Sequence, residues 1–578
     1  MRMTTEMRMD WAATKIVWLA LAFCAWAPNA FAQQVGPRFE ISVPTAVLNK
    51  PVTGRVFVII THDPNKEPRF QAGARYLGAP FFAVNVEQLQ PGSPAVIDSS
   101  ALGYPTRSLR DVPPGDYFVQ AFLNVYTEFH RADGHRVWAH MDQWEGQNMF
   151  SSPGNLYSRV EKVHLDPAGY SVRIELTQVI SPTTVPADTP WVKHLKIQSK
   201  LLTEFWGEPI YLGAVVLLPK GYDEHPNVYY PVDYEQDHFS LSPAYHFREQ
   251  APDAPEGSVL AMRQGEGFKL FKDWTSDHFP RMLLVTFLHP TPYYDNSYAV
   301  NSANNGPYGD AIMAELIPYI ESHFRIIHQS YARVLSGGST GGWESLALQV
   351  QHPDFFGGAW VYYPDPIDFH YWGLTDIYED ENMFYAPATS GVGLTLGSTD
   401  WQQVRRPFMR LPNGQVIVDE EQESQLEAVL GSRGRSGEQS DAWQAIYGPV
   451  GDDGYPVPLW NKQTGQIDHK VALYMRDHGY DLDYYLRENW QRIGPRLVGK
   501  LHFYVGDMDN FYLNLAVYRT DEFLSNTKNP YYAGSFLYGR PLKGHGIRPT
   551  PTADMLRAMA TEIERNVPSA ESAESWNY

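Results

Sequence analysis

The chain has 578 residues, 43% of them hydrophobic and 14% aromatic, and a net charge of −20. That length exceeds what one core fills and indicates roughly two to four domains. The apolar content excludes a disordered chain, and the acidic balance leaves no basic stripe for a nucleic-acid partner.

Residues 1–32 read as a secretory signal peptide. Arg2, Arg8 and Lys15 charge its front, and Met7 or Met9 are alternative starts. Ile16 to Trp26 is apolar but short of the roughly 20 residues that span a bilayer. Pro28 ends it, and Ala30-Phe31-Ala32 is an A-x-A cleavage site. The location implied is periplasmic or secreted. The single cysteine, Cys24, lies in this run, and the bulky Phe23 before it counts against a lipoprotein anchor. The mature chain then has no disulfide, thiol chemistry or cysteine metal site. No later segment is apolar for long enough to cross a membrane.

Residues 33–180 read as an all-β, sandwich-like domain. Arg55 to Thr61 and Tyr117 to Leu123 are β-branched and aromatic runs, and Tyr170 to Leu176 alternates apolar with polar residues. Turn clusters such as Pro113-Pro114-Gly115-Asp116 separate them. The domain offers no catalytic constellation, which suits a packing or substrate-guiding module. Residues 181–190 are rich in Pro and Thr and read as a linker, so the front domain is expected to be separable.

From 191 to 578 strands alternate with helices, the pattern of a parallel sheet covered on both faces. Strands are predicted at 212–218, 230–234, 282–287, 358–362 and 501–505. Helices are predicted at 309–324, with Pro318 as a kink or break, and at 552–567. Between about 364 and 496 the rhythm fails. That stretch, with a helix at 420–430, reads as an insertion over the carboxyl edge of the sheet, either a lid or decoration.

The chemistry centres on Gly337-Gly338-Ser339-Thr340-Gly341, a G-x-S-x-G between an apolar strand and a helix-forming run. In that setting the small residues allow a sharp turn, and the serine hydroxyl stands above the sheet edge. A serine needs a base and an orienting acid. In the order Ser, acid, His, the acid candidates are Asp507 and Asp509, just past the strand at 501–505. The histidine is His545, in a Lys-Gly-His-Gly loop. No metal-ligand set, twelve-residue calcium loop or nucleotide-binding glycine motif appears, so neither cofactor nor metal is expected.

Residues 195–565 resemble the esterase family of α/β-hydrolases, which includes enterochelin esterases, esterase D and feruloyl esterases. The matching pieces are LLPKGYDEHPNVYYPVDY (217–234), ELIPYIESHFRI (315–326), RVLSGGSTGGWESLALQVQHPDFFGGAW (333–360), VGDMDNFYLN (505–514) and GHG (544–546). The resemblance implies a serine carboxylic ester hydrolase with Ser339 as nucleophile, Asp509 as acid and His545 as base. Asp507 is then left to cap the turn or helix that follows. The resemblance also implies an oxyanion hole from the N–H groups of Thr340 and Phe239. At 237–238 this chain departs from the family's His-Gly or Asp-Gly pair, because Asp237-His238 has no glycine. The substrate implied is a small-molecule or polysaccharide-linked ester. A peptidase on the same fold, or a binding protein that keeps the fold without catalysis, are the rival readings.

Overall fold

Apolar runs bounded by turns become strands wherever both faces of a sheet are covered. In the computed structural model eight strands, the inner six of them such runs, form one sheet: β1 (Val192–Gln198), β2 (Tyr211–Leu217), β3 (Val232–Gln236), β4 (Leu283–Leu288), β5 (Arg333–Gly338), β6 (Gly358–Tyr362), β7 (Leu501–Gly506) and β8 (Ser535–Gly539). Their order across the sheet is β1-β2-β4-β3-β5-β6-β7-β8. β2 runs antiparallel to β1 and β4, and the other neighbours pair in parallel. The carboxyl ends of β3, β5, β6 and β7 therefore open on one rim, where ligands bind in such sheets.

The structure describes residues 36–73, 76–146, 148–387, 403–568 and 575–578. Residues Gly36–Tyr578 form one compact unit. The expected signal peptide and Cys24 lie outside the described residues, as does part of the insertion, 388–402. Among the described residues no helix is long and apolar enough to cross a membrane.

Residues 36–180 form a three-stranded sheet, a seven-stranded sheet and the hairpin Thr127–His130/Arg136–Ala139. The central strand of the larger one, Val52–Thr61, is buried along its whole length, because alternate side chains serve two cores. Val56, Val58 and Ile60 meet Phe39, Ile97 and Ile174 between the two sheets. Phe57 and Ile59 join Phe81, Phe122 and Phe150 on the outer face, against Tyr294, Leu426, Val429 and Leu430.

Pro318 sits differently from the simple kink expected. The segment runs as a helix Tyr308–Ala311, a π-turn Ile312–Leu316 and a helix Ile317–His323 that takes Pro318 in its first turn. A first-turn residue needs no N–H partner, so the wider turn accommodates the ring without a break.

Helix α1 (Thr340–Gln351) follows β5. The region after β6 carries the hairpin Pro407–Arg410/Val416–Asp419, α2 (Glu420–Leu430) and α3 (Gln439–Tyr447). A capping box between Asp419 and Gln422 starts α2. Its acids do not all face water. Glu423 and Glu427 are fully buried, and the Lys462 ammonium bridges Glu427, at 2.5 Å, and Asp441. After β7 the chain turns through residues 507–513 into α4 (Asn514–Ser525).

Candidate active site

Ser339 sits between β5 and α1 with φ 58° and ψ −122°, a region non-glycine residues seldom occupy. The turn closes against the end of β3. A Cβ on Gly341 would stand 2.0 Å from the Gln236 carbonyl oxygen, and one on Gly337 would stand 2.3 Å from the Gly341 oxygen. Only glycine fits at either place. Thr340 opens α1, so its N–H is one of the donors a helix start leaves free. Among the described residues no hydrogen bond takes up the Phe239 N–H. The Phe239 ring lies edge-on to Trp144, at 5.3 Å between centroids.

The other two residues meet one strand further along the rim. Asp509, fully buried past the end of β7, accepts a hydrogen bond from His545 Nδ1 on Oδ2 at 2.8 Å. Its Oδ1 accepts from the N–H groups of Phe511, at 2.9 Å, and Leu513, at 3.3 Å. The His545 N–H donates to Asn510 Oδ1 at 2.7 Å, and the rings of Tyr363 and Phe511 flank the imidazole at 4.9 and 5.1 Å. Burial works to lower the His545 pKa, but Asp509, with a further contribution from Asp365, raises it above the ordinary value.

The capping role expected of Asp507 belongs to Asp509. Asp507 Oδ1 instead accepts from the Lys543 N–H at 3.0 Å. It ties the histidine loop to β7, because the turn at 507–513 points its second carboxylate, not its first, at the free amides.

Ser339 Oγ donates to Asp365 Oδ1 at 3.2 Å, and among the described residues no hydrogen bond joins it to His545. Asp365 lies just past the end of β6. Its Oδ2 accepts from Tyr298 OH at 2.7 Å, Thr340 Oγ1 at 3.0 Å and Trp443 Nε1 at 3.2 Å. Gln439 Nε2 donates to the same Tyr298 hydroxyl. Burial raises the Asp365 pKa against these donors. On the opposite side His238 Nδ1 lies 3.2 Å from Asp295 Oδ1, and its Nε2 lies 3.4 Å from Thr340 Oγ1. Burial opposes the charge on His238, but Asp295, with Asp237 and Asp365, raises its pKa to about 10. Two Asp–His pairs thus occupy the region around one serine.

Sequence reading missed Asp365, Tyr298 and the His238–Asp295 pair. A signal for Asp365 was present, since it stands just past a strand end as Asp509 does. Tyr298 and Asp295 lie in an irregular segment after β4, where no period marks them.

Two cavities adjoin these residues. The smaller, about 80 Å³, reaches from Ser339 and Asp365 between the rings of Trp372, Phe408, Trp443 and Phe511. The larger, about 530 Å³, is bordered by His238 and Glu438 and by Lys66, Arg69 and Asn148 of the front sheets. Two acid-histidine clusters, His140/Asp142/Glu145 and Asp368/His370/Asp481, bring their ligand atoms within 4.8 Å of one another. Each is met from within the protein: His140 Nε2 lies 2.5 Å from Glu145, and Arg519 Nε lies 2.6 Å from Asp368.

A largely parallel sheet in this order, with a serine on a strained strand–turn–helix elbow, defines the α/β-hydrolase class of fold. Residues 212–373 match the family model described as "Putative esterase", the family the sequence resembles. Among curated proteins no match was found. The chain is similar to a solved ferulic acid esterase, with 15% identity, a TM-score of 0.33, and 65% of this chain and 98% of that one covered. It is also similar to an S-formylglutathione hydrolase from Agrobacterium tumefaciens, with 11% identity, a TM-score of 0.30, and 66% and 98% covered. A Staphylococcus aureus fluorophosphonate-binding serine hydrolase aligns with 12% identity and a TM-score of 0.30, over 64% of this chain and 98% of its own.

Proposed function

We propose that the protein is a serine carboxylic ester hydrolase that works through an acyl-enzyme. The observation that carries this reading is the buried Asp509 holding His545 at 2.8 Å on the rim where Ser339 occupies its elbow. Asp509 takes Nδ1, which leaves Nε2 for the serine proton. For this step the Ser339 hydroxyl leaves Asp365 for His545, and resting hydrolases often hold this contact open. Ser339 Oγ then attacks the ester carbonyl carbon while Nε2 takes its proton. The Thr340 and Phe239 N–H groups hold the oxyanion. Collapse breaks the bond to the alcohol, which leaves with the proton from Nε2. Water, deprotonated by the same nitrogen, releases the acid and restores Ser339.

The signal-peptide pattern in the sequence of residues 1–32 supports a periplasmic or secreted site of action. The deciding experiment is a screen of the purified protein against nitrophenyl esters and peptide anilides, with Ser339→Ala beside it. Ester turnover that falls by on the order of 10⁴-fold in Ser339→Ala is expected. Undiminished ester turnover by that variant ends the reading, and anilide turnover alone transfers it to a peptidase.

A further inference from the structure

The small cavity at Ser339 and the larger one at His238 share two wall residues, Tyr76 and Gln439. Gln439 comes from α3, and its amide is held by the Tyr298 hydroxyl. Tyr76 comes from the front domain. Its carbonyl accepts from Tyr104 OH at 2.6 Å, its N–H donates to the Gly73 carbonyl at 3.1 Å, and its ring lies edge-on to Phe408 at 5.5 Å. Its φ is 63°, a left-handed conformation that costs a bulky residue free energy and persists only where surroundings enforce it. Tyr76 thus stands in the wall common to the two cavities, its ring packed against Phe408.

We propose that Tyr76 is a specificity-determining residue, which closes the acyl cavity and limits the esters accepted to those with short apolar acyl groups. This rests on the reading of Ser339 as nucleophile. The volume sets the limit: an apolar cavity of about 150 Å³ takes benzene, so about 80 Å³ holds only a few carbons. Past the ring lies the space that a longer chain would need.

The test uses the full chain and p-nitrophenyl esters from acetate to octanoate. In the wild type kcat/KM falls as the acyl chain lengthens. Tyr76→Gly removes the ring and suits the positive φ, so the fold is kept. Its octanoate-to-acetate ratio of kcat/KM rises at least tenfold, and Tyr76→Ala behaves alike. Tyr76→Phe keeps the wild-type ratio. An unchanged ratio in Tyr76→Gly and Tyr76→Ala overturns the proposal. A wild type inert towards every ester overturns the esterase reading instead, and calorimetric titration with octanoate then decides the cavity. Binding at least tenfold tighter to Tyr76→Gly than to the wild type upholds the closure by Tyr76, and equal binding removes it.

Discussion

Asp365 places a second carboxylate against the proposed nucleophile, and its charge reaches His545 as well as Ser339. A histidine that acts as base must be neutral. On the proposed mechanism, the raised pKa of His545 predicts that kcat/KM is lost as pH falls through a value above the ordinary 6.5. Asp365→Asn removes one of the charges that raise it, so the acid limb of the pH profile should move to lower pH. A limb that stays in place separates Asp365 from the base. Asp509→Asn should leave a folded protein with kcat lower by roughly 10⁴-fold, because the imidazole loses its tautomer and counter-charge. Asp507→Ala should stay active but melt slightly earlier, because the exposed Lys543 amide exchanges its protein partner for water at a cost of about 0.5–1.5 kcal/mol. Thermal melts beside nitrophenyl ester assays distinguish the two.

His238 makes a different pH prediction. Its pKa in the folded chain is raised to about 10, from an ordinary 6.5. The stability it contributes is therefore present in full below about 6.5 and disappears as pH rises towards about 10. The difference in Tm between wild type and His238→Gln should shrink across that window. A difference that is constant with pH would show that the charge on His238 does not stabilise the fold.

At the scale of elements, a buried guanidinium of the front domain closes the end of α2. Arg55 Nε donates to the Val429 carbonyl at 2.8 Å and Nη2 to the Ala428 carbonyl at 3.0 Å, while Nη1 meets Asn85 at 2.7 Å. These carbonyls belong to the last turn of α2, which has no partners of its own and carries the negative dipole end. Burial lowers the Arg55 pKa to about 10. Arg55→Met should cost roughly 1–3 kcal/mol for each carbonyl left unpaired, read as a lower urea midpoint with an unchanged slope.

The inner strands β2 to β7 of the hydrolase sheet were legible because burial on both faces writes itself as continuous apolar runs, whereas the half-exposed edge strands β1 and β8 carry no such run. β3 ran two residues past its apolar part, since Glu235 and Gln236 are polar yet buried, with Glu235 accepting from Thr286 Oγ1 at 2.6 Å. The helix at 420–430 was legible from its formers and its cap. The burial of Glu423 and Glu427 was not, because Lys462, which compensates Glu427, is 35 residues further on. The elbow and His545 follow from order along the chain and Asp509 from the family resemblance, whereas Tyr76 reaches the site only through docking of two distant segments. No local pattern encodes that contact.

For the whole molecule, the outer core of the front domain argues against treating it as an independent appendage. Phe57, Ile59, Phe81 and Phe122 share one cluster with Leu426, Val429 and Leu430 of α2 and with Tyr294. A chain begun near Trp191 would leave that face of α2 in water, and large apolar patches of this kind drive association. Such a truncation is expected to be insoluble or to lose cooperative unfolding. A soluble, cooperative truncation with wild-type acyl preference would show that the hydrolase part stands alone.

Left-handed backbone at non-glycine residues gathers around the serine. Tyr76, Tyr298, Ser339, Tyr363 and Tyr512 all have positive φ, between 35° and 68° with neighbouring Tyr294 included. Each costs of order 1–3 kcal/mol. A population of variants selected only for survival of heat would therefore find relief at these positions, by substitution with glycine or asparagine. The lineages that melted latest would be those that had lost Tyr76, the serine's support or the serine itself. Selection for endurance and selection for turnover would pull this chain in opposite directions, and the divergence would begin at its tyrosines.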